Sequence, residues 1–163
     1  SQTITEMVDQ ALKLKKGSKV YLLAPIVRER KGEYRKEFSE LLKKGFQRVK
    51  VDGKYYEISE VPELKKNFKH NIDVVVDRLV IDNTIKSRLA DSFELATTLT
   101  DGLAIIEILS NKKEEDFERI LFSANYACPI SGFTIEEIEP RLFSFNNPKG
   151  ACKKCDGLGT QYF

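Results

Sequence analysis

The sequence has 163 residues, of which 41% are hydrophobic, enough to bury the core of one domain, with or without a small appendage. Its 27 basic and 25 acidic residues nearly cancel, which argues against a uniformly cationic nucleic-acid binder and against an acidic tail protein. No apolar run reaches the roughly 18 residues of a membrane span, and the first residues lack the pattern of a signal peptide. Because the chain begins at Ser1 without an initiator Met, we expect it to be a piece of a longer protein.

The N-terminal part predicts two helices that flank a buried strand. Thr3 and Glu6 form a capping box at the start of the first helix, and apolar residues follow at helical spacing. In chain order, we predict a helix that ends by Gly17, a strand over 19–27, a polar and basic turn over 28–32, and a helix over 33–44.

The strongest local signal is a β-hairpin over 46–58. Apolar and polar residues alternate on both sides of the pair Asp52-Gly53, which suits the positive φ angles of a type I′ turn. The alternation places Arg48 and Lys50 on one exposed face of the hairpin, where they are candidates for binding a partner. An ordinary solvated sheet face is the alternative explanation for these two cations.

A polar loop is expected over 61–70. Its lysines, Lys65, Lys66 and Lys69, are candidates for contacts with DNA phosphates, although solvation alone also explains such a loop. The single histidine, His70, is expected to be a solvated surface residue. Beyond the loop, we predict a strand over 72–81, a helix capped by Asn83 or Thr84 that runs to about Leu99, a strand over 103–109 and a short strand over 119–123.

Arg78 interrupts the otherwise apolar strand over 72–81. An arginine in such a place must either pair inside the domain or face a partner. An internal salt bridge with Asp77 or Asp73 is therefore the alternative to a role in binding.

These elements together predict an α+β fold. We expect a compact mixed helix/sheet domain over 1–123, followed by a small cysteine-bearing module over 124–163, where the composition becomes rich in Cys, Gly, Pro and Phe. All three cysteines lie in this module, and an odd count with one C-x-x-C pair argues against a secreted disulfide framework. A reducing compartment, the cytoplasm, is the expected location.

The cysteine spacing is typical of a degenerate zinc module. A structural zinc site usually needs two C-x-x-C pairs, and Cys152-x-x-Cys155, followed by glycines, supplies one of them. In the other pair, Ser131 stands where a second Cys would accompany Cys128. Either three thiolates bind zinc together with water or a carboxylate such as Asp156, or the site is empty.

The sequence carries no motif for catalysis by this chain alone. It lacks the G-x-x-x-x-G-K-[ST] phosphate loop, the G-x-G-x-x-G fingerprint and a serine in a G-x-S-x-G context. A hydrolase that combines His70 with scattered carboxylates is a further hypothesis, and we expect no phosphate release from the isolated chain.

Several long motifs, in the right order, resemble the UvrA family, the A subunits of the bacterial UvrABC excinuclease of nucleotide excision repair. The resemblance covers essentially the whole chain and is carried by the residues at 23–28, 74–78, 87–92, 121–129, 139–148 and 150–152. Ser131 departs from the family's motif, which has Cys at this place.

The resemblance implies a function in protein binding. The chain would be an insert of a much longer ABC-type ATPase, whose phosphate loops lie outside it, and would carry the UvrB-binding domain with the first zinc module at its edge. UvrB would dock through a mainly polar interface, where Arg48 and Arg78 match the arginines that the family uses toward acidic UvrB side chains. The transcription–repair coupling factor would use its UvrB-like module on the same surface.

DNA would be contacted only in the context of the full protein. The alternative function is a zinc-type module that contacts DNA through Lys153 and Lys154.

Overall fold

A computed structural model describes residues 2–109 and 118–124 of the chain, and these form helices packed on a six-stranded antiparallel sheet. The predicted α+β fold is thereby confirmed. The elements are α1 (Ile4–Ala11), β1 (Lys19–Lys31), α2 (Arg35–Lys43), β2 (Arg48–Val51), β3 (Lys54–Glu57), β4 (Lys69–Val80), α3 (Lys86–Thr100), β5 (Leu103–Leu109) and β6 (Glu118–Ser123), with 3₁₀ helices at Ile58–Glu60 and Asn83–Ile85.

The sheet has the strand order β3-β2-β4-β1-β5-β6, and every neighbouring pair is antiparallel. β1 is the longest strand, and β4 pairs along its whole length, from Lys19 opposite Val80 to Lys31 opposite Lys69. β2 is much shorter and pairs with β4 only from Val49 opposite Val74 to Val51 opposite Ile72. The remainder of β4, toward Val80, therefore extends beyond the end of β2.

The hydrophobic core lies between the helices and one face of the sheet, which we call the helix face. Val20, Leu22 and Ala24 of β1 point into it, and Phe93 of α3 and Met7 of α1 fill it from the other side. Since side chains alternate along a strand, Tyr21 and its cross-strand neighbours point to the opposite face. We call this second face the polar face, because charged and tyrosine side chains crowd its centre.

The local signals at both ends of the chain's first third are confirmed. The side chain of Thr3 accepts a hydrogen bond from the backbone N–H of Glu6, whose carboxylate accepts one from the N–H of Thr3, as in a capping box. In the hairpin turn, Asp52 has a φ of 50° and Gly53 a φ of 90°, both in the left-handed region that a type I′ turn requires.

The predicted polar turn over 28–32 is wrong, because β1 continues to Lys31. Arg28 is 6% exposed and its guanidinium donates to Asp73 of the neighbouring strand at 2.5 Å. Arg30 and Lys31 then pair with the first residues of β4. The basic residues of this stretch thus belong to a strand whose partner lies some forty residues away in sequence.

The cap predicted for the third helix is also wrong by a residue or two. The carboxylate of Asp82 accepts a hydrogen bond from the N–H of Thr84, so Asp82 begins the 3₁₀ turn that leads into α3. The strands predicted near 103–109 and 119–123 are confirmed as β5 and β6.

Candidate protein-interaction surface

A groove of about 430 Å³ opens where β2 ends and β4 continues. Its walls come from the segment 45–48, from residues 75–78 of β4 and from Arg88 at the start of α3. Three arginines, Arg48, Arg78 and Arg88, line this groove together with one acidic residue, Asp77. The groove therefore carries an excess of positive charge although the whole chain is nearly neutral.

Arg48 reaches the groove from the polar face in a fixed orientation. Its Nε and Nη2 donate to one carboxylate oxygen of Glu57 at 3.2 and 2.9 Å, and Nη1 donates to the hydroxyl of Tyr21 at 3.0 Å. These hydrogen bonds, that to Glu57 foremost, raise the pKa of Arg48 above its ordinary value. About a third of the side chain remains exposed, so the predicted position on an exposed face of the hairpin is only partly confirmed.

Arg78 lies on the same face as Arg48. It is exposed and stands directly opposite Tyr21 in the pairing of β4 with β1. Within residues 2–109 and 118–124 its guanidinium forms no ion pair. The two internal salt bridges considered for Arg78 are absent there, because Asp77 pairs with Arg88 and Asp73 pairs with Arg28 and Arg119.

Asp77 is the hub of a hydrogen-bonded cluster at one wall of the groove. Its Oδ1 accepts from the Nη2 of Arg88 at 2.7 Å and from the backbone N–H of Arg78 at 2.8 Å. Its Oδ2 accepts from the Nε of Arg88 at 2.9 Å and from the hydroxyl of Ser92 at 2.8 Å. We call Asp77, Arg88 and Ser92 the aspartate clamp.

The pKa of Asp77 lies below its usual value. Partial burial would raise this pKa, but the hydrogen bonds from Arg88, Ser92 and the Arg78 N–H outweigh burial. The same contact raises the pKa of Arg88. Both groups are therefore charged across the physiological pH range, and Asp77 and Arg88 form an ion pair throughout it.

Lys50 is not on an exposed face, contrary to the prediction. Its side chain is 14% exposed, and Nζ donates to Glu107 of β5 at 2.8 Å across the polar face. The carboxylate of Glu107 also accepts from the hydroxyl of Tyr55 and from Arg119 and is itself fully buried. Lys50 thus compensates a buried charge on the same face as Arg48, and it does not line the groove.

A second buried carboxylate, Asp73, completes the network at the centre of the polar face. Arg28 and Arg119 donate to its two oxygens at 2.5 and 3.0 Å. Burial would raise the pKa of Asp73, but the two guanidinium groups hold it below its usual range. Buried charges persist only when paired and hydrogen-bonded in this way, so these residues serve the fold.

The three candidate lysines lie apart from the groove, and the predicted polar loop over 61–70 is too long, because Lys69 and His70 already belong to β4. Lys65, Lys66 and Lys69 are exposed, and the Nζ of Lys65 lies 5.1 Å from the ring centroid of the exposed Phe68. Their role in binding DNA stays a prediction.

His70, expected in solvent, is 5% exposed. Its Nδ1 lies 2.7 Å from the carboxylate of Asp52 in the hairpin turn, and its Nε2 lies 2.9 Å from the carbonyl of Lys65. The sequence reasoning failed because the residue pairs with a turn eighteen positions away, where no local pattern reveals it.

The predicted zinc ligands Cys128, Cys152 and Cys155, together with Ser131, lie outside the described residues. In the part of the chain that is described, no group of three or more His, Cys, Asp or Glu side chains could hold a metal ion. Nor is any helix in that part long and apolar enough to cross a membrane.

Arg88 is the groove residue that sequence reasoning missed. Its stretch contributed to the family resemblance, but nothing singled out its side chain. One signal was available, since Arg88 and Ser92 are four residues apart on one side of a helix and can share a partner. That this partner is Asp77 follows only from the packing of α3 against the sheet.

Comparison with known proteins agrees with the resemblance. The family model described as the UvrA interaction domain matches residues 2–110. Proteins named UvrABC system protein A are similar over 99% of this chain: those of Rhizobium meliloti and Brucella abortus are 59% and 60% identical, and that of Bradyrhizobium diazoefficiens is 56% identical. The chain spans 18% of the length of each of these relatives.

The matching family model describes an interaction domain, and the arginine-lined groove lies within the residues that it matches. The chain belongs to the UvrA interaction domain family, as the resemblance predicted.

Proposed function

We propose that this domain binds UvrB, and that Arg48 and Arg78 in the groove form ion pairs with acidic side chains of UvrB. The observation that carries the proposal is the exposed Arg78, whose side chain has no ion pair within the described residues and which lines an open groove beside two further arginines. The family's description as an interaction domain supports a role in docking. The partner's name comes from the resemblance to the UvrA proteins.

The arrangement suits a polar interface. A guanidinium group offers a planar fork that can meet a carboxylate at two points, so arginine is frequent among the residues that dominate binding energy. Arg48 is held in place by Glu57 and Tyr21, so it loses little freedom when a partner arrives. The guanidinium of Arg78 has no ion pair within the described residues, so its N–H donors are available to a partner.

The test is binding of purified UvrB to this chain and to charge-reversed variants. Arg78→Glu should weaken binding by about 2–5 kcal/mol, because it removes a charge pair and adds like-charge repulsion. Arg48→Glu should act in the same direction. Isothermal titration calorimetry gives the affinities, and circular dichroism checks that each variant is folded.

Lys66→Glu is the matched control, since Lys66 is exposed and lies in the loop away from the groove. It should bind UvrB like the wild-type chain. The proposal fails if both arginine reversals are folded and bind UvrB as tightly as the control.

Further proposals concern the full-length protein. We propose that the same groove accepts the UvrB-like module of the transcription–repair coupling factor, that the chain is an insert in a cytoplasmic ABC-type ATPase, and that Cys128, Cys152 and Cys155 form a zinc-type module. A gel shift of the isolated chain with DNA separates docking from the alternative, in which this module contacts DNA.

A further inference from the structure

Arg88 has one edge of its guanidinium engaged and one edge open. Nε and Nη2 donate to the two oxygens of Asp77, and Nη2 also lies 3.3 Å from the carbonyl oxygen of Arg78. Within the described residues Nη1 makes no hydrogen bond. The side chain is 61% exposed and lines the groove. The clamp therefore holds the planar group in one orientation while two N–H donors remain available.

The clamp also fixes the strand that carries Arg78. The N–H of Arg78 donates to Asp77, and its carbonyl accepts from Arg88, so side chains occupy both backbone groups of this residue. β4 has no strand partner on the β2 side at Arg78, because the pairing with β2 ends at Val74. A free strand edge invites pairing with another chain. Here Asp77 and Arg88 already bond the N–H and the carbonyl of Arg78, so these groups are not available for pairing with another strand. The side chains of Arg78 and Arg88 remain for contact with a partner.

We propose that Arg88 is a third binding residue of this docking site, that it receives a partner carboxylate on its Nη1 edge, and that Asp77 is its positioning residue. The inference rests on the proposed function and adds to it a residue and an orientation. The site then requires a partner surface with acidic groups on both sides of the groove. Arg48 comes from the polar face, and Arg88 comes from the helix-bearing side.

The competing explanation is that the clamp merely attaches α3 to β4. The two explanations differ in their consequences. A purely structural clamp affects the melting temperature and leaves the affinity of the folded protein for its partner unchanged. A binding residue affects the affinity and its salt dependence, because exposed charge pairs are screened by salt.

The experiment measures the affinity of purified UvrB for this chain and for Arg88→Gln at low and at high salt. We expect Arg88→Gln to raise Kd about tenfold or more at low salt and to flatten the dependence of Kd on salt. Arg88→Lys should not restore wild-type affinity, since an ammonium group cannot hold Asp77 and a second carboxylate in one plane. This second variant keeps the charge, and so it separates loss of geometry from loss of charge.

Arg35→Gln is the matched control. Arg35 is also an exposed arginine on a helix with an ion-paired carboxylate, Glu63, but it lies outside the groove. It should leave Kd unchanged.

A double-mutant cycle tests the positioning role of Asp77. If Asp77 acts through Arg88, the combination of Asp77→Asn with Arg88→Gln should weaken binding by less than the product of the two single effects. Multiplicative effects would overturn the positioning role.

Two further outcomes overturn the role of Arg88 or the proposed function itself, and they can be told apart. If the wild-type chain binds UvrB and folded Arg88→Gln binds it equally well at both salt concentrations, the role of Arg88 is wrong while the proposed function stands. If the wild-type chain does not bind UvrB, the proposed function itself is wrong.

Discussion

At the scale of single residues, the arginines of this domain fall into two groups that sequence alone does not separate. Arg28 and Arg119 are sunk in the polar face, where they neutralise Asp73. Arg78 and Arg88 are exposed at the groove. A buried arginine that loses its carboxylate is costly to the fold, whereas an exposed pair contributes little stability. Charge at the groove can therefore change binding while the fold remains.

The environment of His70 leads to a pH dependence of stability. Its two ring nitrogens face acceptors, the carboxylate of Asp52 and the carbonyl of Lys65, and both can be satisfied at once only when the ring is protonated. The rings of Tyr34 and His70 stand nearly perpendicular, with their centroids 6.5 Å apart. Burial lowers the pKa of His70, but the two hydrogen bonds and the charge of Asp52 outweigh burial, so the folded-state pKa is raised.

A raised folded-state pKa means that the native state binds the proton more tightly than the unfolded chain does. The stabilisation is therefore fully present below the unfolded pKa of about 6.5 and is lost as the pH rises through the folded-state pKa. We expect the free energy of unfolding of the wild type, relative to His70→Gln, to decrease over this window. Urea titrations at a series of pH values measure it, and a difference that stays constant with pH contradicts the prediction.

The same residues show why the sequence predicts only part of the candidate site. Arg48 and Arg78 could be singled out, because one lies in a strand of alternating residues and the other interrupts an apolar run. His70 and Lys50 were misplaced in solvent, because their partners Asp52 and Glu107 are brought to them by strand pairing. Arg88 was missed for the same reason. Local pattern identifies a residue's strand or helix, whereas burial depends on contacts that are distant in sequence.

At the scale of elements, prediction succeeded where the physical cause is local. A capping box and an Asp-Gly turn need only adjacent residues, and both are present as predicted. The length of β1 was underestimated because its last residues are strand only through their pairing with β4. The strand order, with β4 between β2 and β1, is likewise a property of the assembled sheet.

The hairpin turn allows a test of backbone strain without any change in packing. Gly53 has a φ of 90°, and an added Cβ would meet nothing within 4 Å. The cost of Gly53→Ala is then conformational, about 1–2 kcal/mol in the free energy of unfolding. Chemical denaturation measures it, with Lys54→Ala at the neighbouring exposed position as the control. Equal stability of the two variants would show that the turn can relax to another type.

At the scale of the whole molecule, the distribution of charge matters more than its sum. The formal net charge is +2, yet three arginines line one groove. The buried charged residues of the polar face, by contrast, form ion pairs with one another. A local excess of positive charge favours binding to an acidic partner surface and disfavours partners that are basic at this place. The composition excluded a uniformly basic surface, and only the fold reveals where the local excess lies.

The domain should also fold and bind without the cysteine-bearing module. The main core cluster consists of residues between Met7 and Phe122, and the groove lies between Gly45 and Arg88. A chain that ends at residue 124 keeps all of these groups. We therefore expect it to melt cooperatively and to bind UvrB with a Kd within about threefold of the longer chain, a difference of less than ~1 kcal/mol. Thermal circular dichroism and calorimetric titration check the two parts separately. A truncated chain without a sigmoidal melt would show that residues 125–163 complete the fold, whereas a folded chain with lost affinity would place part of the UvrB contact in that module.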